Sequence, residues 1–459
     1  MSSDINEFLT TTTFDAVIIG TGLGETVLAA ALARAGKNVL HLDKHDFYGS
    51  TLSTHQLSSF KNLLTTTQSG ECGVKAPSGA IPLSTQPSIG LSECEVLVDI
   101  DPEREYANGR KGAQLLRAIN IDNVPSLIYA DGATVETLLQ NGTERYLEFL
   151  SVESCRMLIK DCSAICPIPN SRAALFRDST LTLLEKRKVA NFLTDVMRRD
   201  AQTSGTNIPN PERDTFLPSG AGEGASAEAE LDNAQPLEAF LASEKFRIAG
   251  SLAQEFLVYG IAMAMAPESV GAKDGVARIC QYAKSTGRFR GTTTPFIYPI
   301  YGAAEIPQAF SREAAVFSAT YMLGKKAAAV VPPMEEGKEE GDGLAKVVLD
   351  NGEEEGLTVK AKWVAVGAEC LGERCGTMYQ RCVVVTDRAV VEPIEQKAAL
   401  EFVVVPPIKP CTSPVHITQF DSGAGVVPKG FCKKIYKYIY IYFVHFKIFF
   451  RCHSFCNEG

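Results

Sequence analysis

Four residues near the N-terminus have the types and spacing to hold a dinucleotide: Gly20, Gly22, Glu25 and Asp43. In a G-x-G-x-x-G fingerprint, the first glycine makes a tight turn after a strand, and the second lets the backbone approach a pyrophosphate. The third lets the following helix pack closely on the strand, and an acid at the end of the next strand takes the ribose hydroxyls. Asp43 stands at that last point, but Glu25 stands where the third glycine belongs. Its carboxylate falls where a ligand phosphate would lie, at a helix N-terminus whose free N–H groups and positive dipole end would otherwise receive the anion. Like charges repel, and the side chain takes up the space. The pattern predicts a dinucleotide fold that has lost its dinucleotide. A tolerated variant that still binds a cofactor is the reading left open.

The surrounding sequence supplies the elements that would position these residues. Phe14–Gly20 is an apolar, β-branched run, the pattern of a buried parallel strand. An Ala- and Leu-rich helix is expected from about Glu25 to Ala35, with Gly36 placed to cap it. Asn38–Leu42 reads as the second strand, ending at Asp43, and His41 within it is expected to be a hydrogen-bonded core histidine.

GTGL-x-E, VLHLD and then Phe47-Tyr48-Gly49-Ser50 resemble, in order and spacing, the G-T-G-L-x-E, V-L-H-x-D and Y-Y-G-G of the Rab GDP-dissociation inhibitor and Rab escort protein superfamily. Ser50 replaces a glycine that, in the flavoenzyme cousins of that family, helps hold the flavin phosphate. A second block, Thr294–Leu323, is similar to the family's T-P-F-L-x-P-L-Y-G-x-G-E-L-P-Q-x-F-x-R followed by A-x-x-G-G-T-Y-x-L. The resemblance implies that the two blocks fold into one Rab-binding platform, with Tyr48, Glu305 and Arg312 at the Rab-contacting positions. A third block, Ser171–Leu193, resembles the S-R-x-D-V-F of the escort branch and its acidic-basic helix. There the resemblance implies docking onto the α subunit of Rab geranylgeranyl transferase through Phe176 and Arg187. An aromatic anchor with a guanidinium suits a binding hot spot; on pattern alone, a core Phe176 and a solvated Arg187 is the blander reading. Asn120–Phe149 also resembles the family's F-N-I-D-L-x-P-K-L-L-Y and S-x-Y-x-E-F. The departures are a longer loop at Gly287–Pro295, Ala304 in place of a glycine before Glu305, and Ser318-Ala319 in place of Gly-Gly. Each lost glycine matters only where positive φ or close backbone approach is needed.

The resemblance implies an α/β, GDI-like fold related to FAD/NAD(P)-binding flavoprotein oxidoreductases: a mixed-sheet domain with an inserted all-helical domain. Residues 1–110 and 271–429 are expected to form the discontinuous Rossmann-like domain that carries the platform, and 111–270 the helical domain. Within the latter, 201–236 is rich in Gly, Ser, Pro, Ala and acids and reads as a disordered insertion. Strand pieces are expected at Glu95–Ile100, Gly356–Gly367, Arg381–Val391, Glu401–Val405 and Pro414–Asp421. A helix is expected at Gly271–Ser285, and a strand, an acidic loop and another strand within Val330–Val348.

The chain has 459 residues, enough for two or three domains, and a net charge of −9. Residues 430–459 are basic and 1–429 carry −13, which argues against a general nucleic-acid binder. The thirteen cysteines fit free thiols in a reducing compartment, and their spacing with the six scattered histidines gives no metal-site pattern. No secretory signal and no uncharged run of membrane-spanning length is visible, so a cytosolic protein transiently at membranes is expected. After Pro428-Lys429-Gly430 the composition shifts abruptly to Lys, Ile, Tyr, Phe and Cys. That tail is read as read-through of non-coding sequence or a truncation; it is also strand-prone and free of proline.

No base or nucleophile constellation appears, so no catalysis, cofactor or metal is expected. The leading expectation is a non-catalytic escort factor. It would bind GDP-form Rab proteins, present them to the transferase, shield the attached geranylgeranyl chains between helices of its second domain, and deliver the product to membranes. A Rab GDP-dissociation inhibitor, a flavin-dependent oxidoreductase and a product made non-functional by its tail are the alternatives.

Overall fold

The apolar run near the N-terminus forms the strand Thr13–Ile19 in the computed structural model. It pairs in parallel with Val39–Leu42 on one side and Leu357–Val366 on the other. The structure describes residues 2–66, 79–84, 94–106, 109–159, 164–204, 231–265, 270–333, 343–353, 356–371, 379–386, 400–408, 413–439 and 446–451, with 74, 77 and 389 besides. Thr320–Met322 joins the far side of Val39–Leu42, again in parallel, while Ala345–Leu349, Ala327–Val331 and Ile81–Pro82 extend the other edge in antiparallel fashion. The result is a seven-stranded mixed sheet.

Helix Leu23–Arg34 follows the glycine loop, and Gly36, at φ +72°, ends it as expected. Ala29, Ala30 and Ala33 of this helix share a core cluster with Ile18 of the sheet and with Ile306, Phe310 and Ala314 of helix Glu305–Val316. The small alanine faces let the two helices lie close on the sheet. The Glu305 helix is thereby fixed over the glycine-loop strand, although some 280 residues separate the two in sequence.

A second sheet has eight strands, in the order Ile165–Pro167, Ser154–Leu158, Leu400–Val405, Val415–Phe420, Cys432–Ile439, Tyr379–Thr386, Phe446–Arg451 and Cys94–Asp99. Helices Leu183–Ser204, Leu237–Ala242 and Ala272–Ser285, with a π turn at Phe256–Ile261, pack with it in the largest core cluster. Phe192 meets Phe240 and Phe246 edge-on within that core.

Segment 111–270 is less uniformly helical than expected. It contains five short strands from Asn120–Asp122 to Ile165–Pro167, and two of them belong to the eight-stranded sheet. Ser154–Leu158 buries Cys155 and Met157 on alternate positions, a period-two signal within a stretch read as helix. The helix expected at Gly271–Ser285 is present as Ala272–Ser285. Most of the insertion expected at 201–236, the acidic loop expected at 335–342 and the last eight residues lie outside the described residues. The unusual tail is strand over Cys432–Ile439 and Phe446–Arg451, as its aromatic and β-branched content favours. The longer loop at Gly287–Pro295 is accommodated by Gly287 at φ +66° and Gly291 at φ +83°.

Candidate functional site

Two carboxylates fill the crevice above the glycine loop. A Cβ at Gly22 would stand 2.5 Å from Glu25 Oε2, and one at Gly20 would stand 2.8 Å from Glu369 Oε1. Both side chains also close on Gly367, at 3.0 and 2.9 Å from a Cβ there. Ser50 Oγ donates to Glu369 Oε1 at 2.8 Å, so the residue in the place of a phosphate-binding glycine holds an acid instead. Burial raises the Glu25 carboxyl above its ordinary range, and the nearby Glu369 and Asp43 push the same way. A pyrophosphate would meet acid where it needs donors, so these residues do not fit a dinucleotide.

Asp43 is likewise committed, contrary to a role on ribose hydroxyls. Its Oδ2 accepts from Thr21 N at 2.8 Å and from Thr21 Oγ1, and its Oδ1 accepts from His45 N and Nδ1, each at 2.8 Å. Burial alone would raise this carboxyl, but the His45 and Thr21 contacts outweigh it and hold it below the usual carboxylate range. Thr21 in turn accepts the Gly49 amide on both its carbonyl and its Oγ1, at 3.1 Å each. Asp43 therefore fastens the loop that carries Tyr48. His41 is fully buried and its Nε2–H donates to the Gly20 carbonyl, the core histidine expected.

Tyr48, Glu305 and Arg312 converge on one shallow depression of about 390 Å³. Glu305, Gln308, Arg312 and Ala315 recur at helical spacing and line it from one face of helix Glu305–Val316, while Ile306, Phe310 and Ala314 are buried. Tyr321 closes the floor, its ring 5.9 Å edge-on from Tyr48 and 4.7 Å from His41. Tyr146 forms a wall. Partial burial raises the Glu305 carboxyl and the Tyr48 phenol above their ordinary values. Sequence reading missed Tyr146 and Tyr321 as lining residues, although both fall inside matched blocks; the helical spacing from Glu305 would have added Gln308 and Ala315.

The helix start is set from below. Gly302 has φ +137°, and a Cβ there would lie 2.4 Å from Thr54 Oγ1 and 2.6 Å from Asp122 Oδ1. Asp122 accepts from the Ala303 amide at 3.1 Å, from Thr54 Oγ1 at 2.8 Å and from the Tyr298 hydroxyl. Ala304, which replaces a glycine, has φ −64°, so that loss costs nothing in backbone strain. Ser318 differs, at φ +70°.

Phe176 and Arg187 lie on adjacent helices. Ser171 Oγ caps Arg172–Arg177 by accepting the Ala174 amide, and Thr182 and Glu185 form a reciprocal capping pair at the start of Leu183–Ser204. Lys186 Nζ donates to the Phe176 carbonyl at 3.1 Å and links the two helices. Phe176 is 40% exposed rather than in the core, Leu183 and Leu184 are 58% and 64% exposed, and Arg187 is exposed. Phe176, Leu183, Leu184 and Arg187 are thus all exposed on these two linked helices.

The GDP dissociation inhibitor family model matches residues 10–73, 99–212 and 240–394. The chain is 27% identical to Rab proteins geranylgeranyltransferase component A 1 of Caenorhabditis elegans, over 91% of this chain and 77% of that protein. It is 29% identical to Rab escort protein 1 of Arabidopsis thaliana, over 73% of this chain and 60% of that protein. It is 28% identical to Guanosine nucleotide diphosphate dissociation inhibitor 2 of the same plant, over 68% and 56%. Among solved structures, the Rab GDI of Plasmodium falciparum has the same fold, with a TM-score of 0.59 at 21% identity over 94% of this chain and 83% of that one. With its glycine loop and the helix Glu305–Val316 inside the matched segments, which span most of the sequence, this chain belongs to the GDP dissociation inhibitor family.

Proposed function

We propose that this protein is a Rab escort factor: it binds GDP-form Rab GTPases on the depression of Tyr48, Glu305 and Arg312, and presents them to Rab geranylgeranyl transferase through Phe176 and Arg187. The reading rests above all on one observation: three residues from distant blocks line a single depression that a partner can reach. An exposed Phe176 and an exposed Arg187 on two linked helices support the transferase contact over a plain dissociation inhibitor. The filled glycine-loop crevice argues against flavin chemistry, and the protein's part is binding, not catalysis.

Shielding the product has a clear physical need. Each buried methylene is worth about 0.8 kcal/mol, so a bare geranylgeranyl chain drives aggregation or indiscriminate insertion. No helix among the described residues is long and apolar enough to cross a membrane. As an escort factor it would work from the cytosol, touching membranes only at delivery.

The test is Rab prenylation in vitro with purified transferase, comparing wild type, Phe176→Ala and a reaction without the protein. Stimulation by wild type that is lost in Phe176→Ala is the expected result. Folded wild type that binds Rab–GDP without stimulating prenylation would instead make it a dissociation inhibitor.

A further inference from the structure

We infer that Tyr146 is a positioning residue for Arg312, holding that guanidinium ready for an acidic group of the Rab partner; the inference rests on the Rab-binding reading above. Arg312 is exposed, and its guanidinium carbon lies 4.8 Å from the centre of the Tyr146 ring. The Arg145 guanidinium lies 4.9 Å from the same ring. A ring contact restrains an arginine through its flat face and leaves the N–H edges free to donate.

Tyr146 is itself fixed by the next residue of the platform helix. Glu313 is buried, and its carboxylate takes Thr143 Oγ1 at 3.3 Å, Arg145 Nη2 at 3.6 Å and Arg34 Nη1 at 3.0 Å. Thr143 and Tyr146 bound one short 3-10 turn, so Glu313 clamps the turn while Arg312, its neighbour in sequence, rests on the turn's ring. The clamp and the rest share one helix turn, which sets the guanidinium height above the depression. Glu305 stands two turns earlier on the same face, so the depression offers an anchored cation and a carboxylate, and Tyr48, Tyr146 and Tyr321 line it too. A complementary partner presents a carboxylate opposite Arg312 and a donor opposite Glu305. Fixing Arg312 beforehand removes part of the ordering cost of binding.

Affinity for a GDP-loaded Rab GTPase, measured at low and high salt, tests this with Tyr146→Ala, Tyr146→Phe, Tyr146→Leu, Arg312→Ala and the double variant Tyr146→Ala/Arg312→Ala. Freeing one long side chain predicts roughly three- to tenfold weaker binding for Tyr146→Ala. Tyr146→Phe should bind like wild type, because the ring face does the work. Tyr146→Leu keeps apolar bulk for folding and should weaken binding like the alanine variant. In the Arg312→Ala background, Tyr146→Ala should add nothing further, and that variant's smaller salt dependence should be unchanged. Equal losses from Tyr146→Ala with and without Arg312, or wild-type binding by Tyr146→Leu, would overturn the positioning role. If Arg312→Ala, Glu305→Ala and Tyr48→Ala all bind as wild type, the Rab-binding reading itself fails.

Discussion

Lys433 Nζ lies 3.7 Å from Asp122 Oδ2, and both side chains are fully enclosed. The ammonium also donates to the Asn120 carbonyl at 2.9 Å and sits 4.7 Å from the centre of the Phe420 ring. Asp122 holds the amide that starts the platform helix, so a residue of the unusual tail supplies the counter-charge beneath the candidate Rab surface. Breaking a buried pair from one side leaves an uncompensated charge, which costs about 3–5 kcal/mol. Lys433→Met should lower the urea midpoint accordingly and weaken Rab binding. Replacing both partners, as Lys433→Met with Asp122→Asn, should recover part of the loss. A midpoint unmoved by Lys433→Met would show that the tail strand is not a working part of the fold.

His41 makes stability sensitive to acid. Burial lowers its imidazole from 6.5 to about 4, against the hydrogen bond to Gly20 and the charge of Asp43, which favour the protonated form. The folded state refuses a proton that the unfolded chain accepts, so its contribution is complete above pH 6.5 and is lost as pH falls towards 4. The loss is about 3 kcal/mol over that window. His41→Gln keeps a donor for the Gly20 carbonyl and should flatten this part of the stability curve. His55, also lowered to about 4 by burial and by the nearby His45, leaves a residual slope in the same range. Chemical denaturation at stepwise pH separates the two; equal slopes in wild type and variant would refute the assignment.

Ser318 ends the platform helix in a left-handed conformation, with the Ala319 amide returning to the Ala314 carbonyl at 3.0 Å and its own amide to Ala315 at 3.0 Å. Glycine fits that place without Cβ strain. Ser318→Gly should therefore stabilise the protein by about 1 kcal/mol, seen as a higher thermal midpoint. The matching change at Ala304, already right-handed, should give no such gain.

Glu25→Gln should also stabilise the fold at neutral pH. Its carboxyl is raised by burial first and by Glu369 and Asp43 next, so the folded state resists its ionisation. The penalty is full above the folded value and absent below the ordinary 4.5. The gain in thermal midpoint should thus shrink as pH drops through that range, and a constant gain would point to packing instead of charge.

The glycine loop, its strand and its helix were legible because local pattern and spacing carry them, whereas the grouping of Tyr48, Glu305 and Arg312 around one depression followed only from the family resemblance. Glu25 could even be read as an occupant of the phosphate place, since its position in the fingerprint fixes where it points. Glu369 could not: it reaches the same crevice from more than 340 residues away, through parallel pairing that no local pattern encodes. Lys433 was hidden for a related reason. A lysine in a basic aromatic tail reads as solvated, and it is the pairing of Cys432–Ile439 between Val415–Phe420 and Tyr379–Thr386 that carries it inward to Asp122. The strands within 111–167 were missed because runs of two to five residues are too short for periodicity to separate them from helix.

The four hydrogen bonds on Asp43 carry a last implication. An acid at the position that takes ribose hydroxyls in a dinucleotide fingerprint here serves as a latch for the loop that carries Tyr48. Any return to cofactor binding would have to open that latch, freeing Thr21 and, with it, the Gly49 amide beside Tyr48. The same carboxylate oxygens cannot hold this loop and a ribose at once, so the loop that carries Tyr48 is held at the expense of that use.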